Sequence, residues 1–169
     1  MVNGEKVVLR AWSPSDLPNL QLMRNDLRLQ RQLMAQPRGN SLDQVKDWLH
    51  ARTKLADGLF LIIACKSSDQ VVGYVQVVGI DFLNGLGTLG ICIAPASQGK
   101  GYGSEAITLL ECYLRDVFRL RKLMLEVLAE NDIAISLYVK HGYREVGRLQ
   151  KHFYTGEEYG DVVIMEKLI

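Results

Sequence analysis

The sequence predicts an α/β fold of the α+β kind, carried by one domain over residues 1–169. Three observations predict it. Three β-rich runs are separated by turn residues and fold back as an antiparallel meander. An amphipathic segment at helical spacing follows a glycine-rich loop just after the meander. The remaining residues then read strand, helix, strand, strand. The length of 169 residues suits one domain at roughly 100–200 residues per domain. With 48% apolar and 23% charged residues, the composition is that of a globular protein and excludes disorder, collagen and a disulfide scaffold.

The elements follow in order. Lys6 to Ala11 is a β-branched run, and Ser13-Pro14-Ser15-Asp16 supplies an N-cap and an early proline for a helix through about Arg24. Ser41 and Gln44 form a capping box for a second helix, on which Leu42, Val45, Leu49 and Ala56 recur at helical spacing. The segment between these helices carries no clear period. Leu59 to Cys65 and Val71 to Ile80 are strands separated by Ser67 to Gln70, and Asn84-Gly85 marks a tight hairpin into Leu86 to Ala94. After Pro95 an amphipathic helix runs to Val117, with Ala106, Leu109, Leu110, Tyr113, Leu114 and Val117 on its apolar face. Lys122 to Leu128 is a buried strand. Asn131 caps a helix that ends at His141 with Gly142 as its C-cap, and strands from about Tyr143 to Leu149 and Tyr159 to Leu168 close the chain.

Charge and motif content narrow the function. Lys plus Arg number 20 against 19 Asp plus Glu, a net charge of +1, so the basic excess that nucleic-acid binding exploits is missing. No basic n-region precedes an apolar run, and no apolar run reaches the roughly 18 residues of a spanning helix. A cytoplasmic protein with no membrane partner is expected. Cys65, Cys92 and Cys112 lack metal or redox spacing and are expected as reduced core residues. His50, His141 and His152 are isolated, so no metal is expected.

Gln98-Gly99-Lys100-Gly101-Tyr102-Gly103-Ser104 joins a strand to a helix, and the physical use of such a join is to aim unpaired N–H groups at an anion such as pyrophosphate. The Walker pattern is absent, because it needs Ser or Thr directly after Gly-Lys and here Gly101 follows Lys100. A dinucleotide fingerprint fails on context, since this loop follows an antiparallel hairpin past the middle of the chain. A glycine-rich turn without a ligand is the competing reading.

Downstream lies LEVLAENDIAISLYVKHGY, in which Asn131, Ala134 and Tyr138 recur on one segment closed by Gly142-Tyr143. With the loop, these motifs resemble the GNAT superfamily of acyl-CoA-dependent N-acetyltransferases over most of the chain. The branch most similar, to which the closing HFYTGEEYGDVVIMEKLI also conforms, holds ribosomal-protein alanine, spermidine and amino-sugar-nucleotide acetyltransferases. The resemblance implies a mixed, mostly antiparallel central sheet with helices on both faces. It also implies a splayed pair of strands, the last of the meander and Lys122 to Leu128, that holds acetyl-CoA. The backbone of Ile91, Cys92 and Ile93 would then pair with the pantetheine arm, the loop Gln98 to Ser104 would receive the pyrophosphate, and Asn131 would lie against the arm.

Acetyl transfer to an amine requires loss of a proton from nitrogen and a proton for the departing thiolate. Glu126 is the only charged residue in Leu123 to Leu128, where desolvation would raise its pKa, and it matches the position of the catalytic glutamate in the alanine-acetylating branch. It is the expected general base; a solvated strand-face glutamate is the alternative. Tyr138 matches the tyrosine that protonates the thiolate in the family and is the expected general acid; a core aromatic stacked on Ala134 is the alternative. Many relatives carry Glu at the position of Thr88, a departure that leaves open a water chain ending on another carboxylate. Cys92 has no adjacent base in the sequence, so direct transfer through a ternary complex is expected over an acyl-cysteine route.

The resemblance implies that the acceptor is a primary amine on a small molecule or a protein N-terminus. Arg24, Arg28 and Arg31 would form one basic face on a continuous helix and suit an anionic acceptor such as a nucleotide-sugar, although Asn25-Asp26 can break that helix. Glu157, Glu158 and Asp161 point toward a cationic one such as a polyamine. The resemblance assigns the acceptor pocket to Gln21–Asn40 and the C-terminal strands. The exposed closing strand allows a homodimer. An acyl-CoA-binding sensor without activity is the alternative function, motivated by Thr88.

Overall fold

The structure is a computed structural model that describes residues 1–36 and 38–169, so Pro37 within the Gln21–Asn40 segment lies outside the described residues. The strands are β1 (Val2–Asn3), β2 (Val7–Arg10), β3 (Leu59–Cys65), β4 (Val71–Asp81), β5 (Leu86–Ile93), β6 (Lys122–Leu128), β7 (Arg144–Tyr154) and β8 (Tyr159–Leu168). The α-helices are α1 (Leu17–Asn25), α2 (Leu27–Gln32), α3 (Leu42–Thr53), α4 (Tyr102–Phe118) and α5 (Asp132–Lys140), with short 3-10 turns at Pro14–Asp16 and Pro95–Ser97.

The strands form one sheet in the order β1-β2-β3-β4-β5-β6-β8-β7. The β5–β6 pair is parallel and its neighbours are antiparallel, giving the mixed, mostly antiparallel sheet expected. Alternation along each strand sends side chains to opposite faces. Ile62 accordingly packs with Leu20, Met23, Val45 and Leu49 from α1 and α3, whereas Ile63 packs with Ala106, Ile107, Leu110 and Leu114 from α4. Helices therefore cover both faces, and each apolar cluster is completed by the sheet between them.

Local chemistry fixes the ends. Ser41 accepts from the Gln44 N–H at 3.2 Å while Gln44 Oε1 accepts from the Ser41 N–H at 2.8 Å, a reciprocal cap worth about 1 kcal/mol. Asp26 ends α1 in extended geometry, and its Oδ1 accepts from the Leu29 N–H at 3.0 Å to start α2. The Glu105 carboxylate accepts from the backbone N–H groups of Lys6 and Val7, each at 2.9 Å, and so ties β2 to the first turn of α4.

Several expectations are corrected. The apolar face of α4 includes Ile107, which is fully buried, and excludes Val117, which is 60% exposed. The second helix stops at Thr53, so Ala56 lies outside it, and Leu42 is exposed. Of the cysteines only Cys92 is buried; Cys65 and Cys112 are half-buried. The hairpin between β4 and β5 is a wider loop in which Asp81 accepts from the Asn84 N–H at 2.9 Å. Among the described residues no helix is long and apolar enough to cross a membrane.

Candidate active site

The site originates in an interrupted ladder. β5 and β6 pair at Leu86–Lys122, Gly87–Leu123 and Thr88–Met124, and the register then stops, although the other edge of β5 stays on β4 out to Ile93–Gly73. From Leu89 onward the β6-facing edge of β5 has no strand partner among the described residues. The wedge opens into a cavity of about 660 Å³.

The glycine-rich loop forms one wall. Gly99 and Gly101 have φ of +75° and +84°, a left-handed backbone that glycine adopts at little cost. A Cβ at Gly99 would meet nothing within 4 Å, so this stretch of backbone stands open. Gly101 is the N-cap of α4 and supplies no side-chain cap. Among the described residues no acceptor takes the N–H groups of Gly99 through Ser104, an arrangement suited to phosphate oxygens at the positive end of a helix. The residues present thus fit a pyrophosphate-bearing cosubstrate. Gln98 Nε2 donates to the Ile93 carbonyl at 3.1 Å, which fixes the loop to the end of β5.

Across the cleft, Asn131 lines the cavity, and its Oδ1 accepts from the Ala134 N–H at 3.2 Å and caps α5. Ser104 Oγ lies 2.8 Å from His141 Nε2, joining the start of α4 to the end of α5. Burial lowers the pKa of that imidazole, which favours the neutral ring.

Of the residues singled out from the sequence, Ile91, Cys92, Ile93, Gln98, Gly99, Gly101, Tyr102, Gly103, Ser104, Glu126, Asn131 and Tyr138 line this one cavity. Lys100 does not: its Nζ donates to the Ala96 carbonyl at 2.9 Å, and its side chain borders a separate shallow depression beside Lys6 and Cys65.

Glu126 is exposed rather than buried. Leu123, Leu125 and Val127 face the core and Glu126 faces the opposite side, so the desolvation expected from its apolar neighbours is absent. It is nevertheless the only carboxylate among the described lining residues. Tyr138 is 6% exposed, and burial pushes its phenol up to about 12. The phenol therefore keeps its proton at neutral pH. The Cys92 thiol is pushed up to about 12, chiefly by burial, which leaves almost no thiolate to act as a nucleophile. Thr88 is exposed, outside the described lining, at the closed end of the β5–β6 ladder.

Sequence reasoning missed part of the lining at the other end of the cavity. Trp48 and Arg52 of α3 and Tyr74 and Gln76 of β4 converge there with Arg24 and the short α2, which lie in the Gln21–Asn40 segment. Arg24 lies over the Trp48 ring at 4.4 Å, and Trp48 packs edge-on against Tyr74 at 5.5 Å. No local pattern reports this group, because its members come from four elements. The continuous basic face of Arg24, Arg28 and Arg31 does not form, since Asp26 breaks the helix between them. Glu157, Glu158 and Asp161 are outside the described lining; Asp161 accepts from the Lys151 N–H at 2.8 Å instead.

The comparisons agree with this architecture. Residues 6–144 match the family model described as an acetyltransferase (GNAT) domain. The chain is 26% identical over 160 residues to a spermidine N(1)-acetyltransferase of Vibrio cholerae, spanning 94% of this chain and 91% of the relative. It is also 26% identical over 165 residues to the enzyme of that name from Escherichia coli K12, spanning 98% and 87%. The crystal structure of the Vibrio cholerae spermidine N-acetyltransferase with CoA and spermine superimposes with a TM-score of 0.88 at 25% identity, covering 96% of this chain and 95% of that one. With the family model covering residues 6–144 and the split sheet opening beside a glycine-lined helix start, the chain belongs to the GNAT family and is an acetyl-CoA-dependent N-acetyltransferase.

Proposed function

We propose that the protein moves the acetyl group directly to a primary amine within a ternary complex, with Glu126 as general base and Tyr138 as general acid. The observation that carries this reading is the pairing on one cavity of a proton-retaining phenol, Tyr138, with Glu126, the sole carboxylate among the described lining residues. Acetyl-CoA supplies an activated acetyl thioester. The amides of Gly99 to Ser104 hold its pyrophosphate, and the free edge of β5 at Ile91 to Ile93 together with Asn131 orients its arm. Glu126 takes a proton from the attacking nitrogen, directly or through one water, as the N–C bond forms and the C–S bond breaks. Tyr138 gives its hydroxyl proton to the departing sulfur. Cys92, buried and protonated, offers no route through an acetylated enzyme.

The relatives named for spermidine put a polyamine among the acceptors to test, beside amino-sugar nucleotides and N-terminal peptides. The test follows CoA thiol release from acetyl-CoA with each class, for the wild type, Glu126→Gln and Tyr138→Phe. Turnover that falls in both variants while acetyl-CoA binding persists supports the assignment. Saturable acetyl-CoA binding with no amine turned over overturns it in favour of a sensing module.

A further inference from the structure

The far end of the cavity carries positive charge with no ion-pair partner among the described residues. Arg24 Nε is buried and has no hydrogen-bond partner among the described residues. None of Arg24, Arg38 and Arg52 takes part in an ion pair among the described residues. Burial lowers the Arg24 pKa, and the like charges of Arg38 and Arg52 lower it further, with Tyr74 acting in the opposite sense. The nearest carboxylate in sequence, Asp26, is occupied in capping α2 and is outside the described lining.

The position of Arg24 is held firmly. Asn40 Nδ2 donates to the Arg24 carbonyl at 3.3 Å, and the Asn40 N–H donates to Asn25 Oδ1 at 2.7 Å, so the last turn of α1 is clamped. Trp48 supports the guanidinium from beneath. A partly buried cation without a counter-charge is costly, and a fixed fork of N–H donors beside a substrate cavity recovers that cost when an anion binds. A polyamine would bring more positive charge to the same place.

We propose that the amine acceptor carries a phosphate or carboxylate at its other end, received by Arg24 and Arg52 above Trp48, while its amino group reaches Glu126. This assignment rests on the acetyl-transfer reading above and names its substrate class. Orientation follows from it: Arg24 and Arg52 hold the anion at the α1–α3 end, and the amine points to the opening between β5 and β6.

Matched acceptors test it: glucosamine 6-phosphate against glucosamine, 6-aminohexanoate against 6-aminohexanamide, and spermidine, each followed by CoA release. The expected result is that an anionic member is turned over faster than its neutral partner and than spermidine. The phosphate and carboxylate pairs separate the two sources of charge. Arg24→Gln and Arg52→Gln should each lower kcat/KM for that anionic acceptor by about thirtyfold or more, with KM for acetyl-CoA unchanged and with Arg24→Lys losing less. Unfolding temperatures of the variants identify any loss due to misfolding, and Arg52→Gln alone carries the test if Arg24→Gln is unstable. Faster turnover of the neutral amines or of spermidine, or equal losses on both members of a pair, overturns the proposal. If no amine is turned over, calorimetric titration of the CoA-saturated protein with the same compounds decides. Anionic amines that bind saturably to wild type and weakly to Arg24→Gln uphold the pocket assignment and leave the transfer chemistry as what failed; no binding overturns the pocket as well.

Discussion

Thr88 and Met124 form the last rung that β5 and β6 share. Every ladder bond continued past it would draw the two strands together, so the point at which pairing ends determines where the cavity between them opens. It also explains why a threonine at this position need not disable the chemistry. Thr88 sits at the paired, closed end outside the described lining, while Glu126, two residues beyond Met124 on β6, sits on the opened part.

Replacing Tyr138 by phenylalanine is expected to lower kcat by about 10²–10⁴-fold, the usual contribution of a positioned acid, with acetyl-CoA binding unchanged. Because burial pushes the phenol up to about 12, the acid form persists throughout the working range. The wild-type kcat profile should therefore show no decline from tyrosine ionisation up to pH 10. A variant within threefold of wild type would remove Tyr138 from the chemistry.

With its thiol pushed up to about 12, Cys92 stays protonated and unreactive. Double-reciprocal plots against both substrates should intersect, and protein mixed with acetyl-CoA alone should show no acetyl adduct on Cys92 by mass spectrometry. Parallel lines together with an acetylated Cys92 would require the acyl-enzyme route.

Gly99→Ala places a methyl group where φ is +75° and, its two chain neighbours aside, no atom of the described residues lies within 4 Å. The cost is left-handed backbone strain of about 1–2 kcal/mol, seen as a melting temperature lower by about 2–8 °C. The methyl also obstructs the approach of phosphate oxygens, so KM for acetyl-CoA should rise severalfold with kcat little changed. An unaltered KM would show that the pyrophosphate lies elsewhere.

Particular residues show what the sequence could and could not reveal. The meander was legible because Ser67 to Gln70 and Asn84-Gly85 punctuate apolar runs, and α5 because Asn131 and Gly142 mark both its ends. The six-residue α2 has no repeat long enough to register. β7 continues to Tyr154, beyond the expected Leu149, because as an edge strand it is mostly exposed on both faces and lacks apolar alternation. For Glu126, apolar neighbours indicated a buried strand correctly but not which face this side chain takes. The Arg24–Trp48 contact joins α1 to α3, and no spacing along the chain encodes a meeting between elements.

Arg10 binds Asp16 through two N–H groups, at 2.8 and 2.9 Å, and its Nε donates to Asp69 at 2.9 Å. Asp16 is 3% exposed and also accepts from the Ser13 N–H at 2.7 Å. Burial alone would raise its carboxyl pKa, but Arg10 and Ser13 outweigh burial and hold it below the ordinary value. Since the folded pKa lies below the unfolded value of about 3.9, the stabilisation is present in full above about pH 5 and is lost as pH falls through the folded pKa. Asp16→Asn removes one partner of a nearly buried pair and should cost about 3 kcal/mol at pH 7, the low end because Asp69 still engages Arg10. The urea midpoint of wild type should fall between pH 6 and pH 3 more steeply than that of Asp16→Asn, the two curves converging in acid. Parallel curves would mean that the Asp16 carboxylate contributes nothing that titrates, and its bonds to Arg10 and Ser13 would then add no pH-dependent stability.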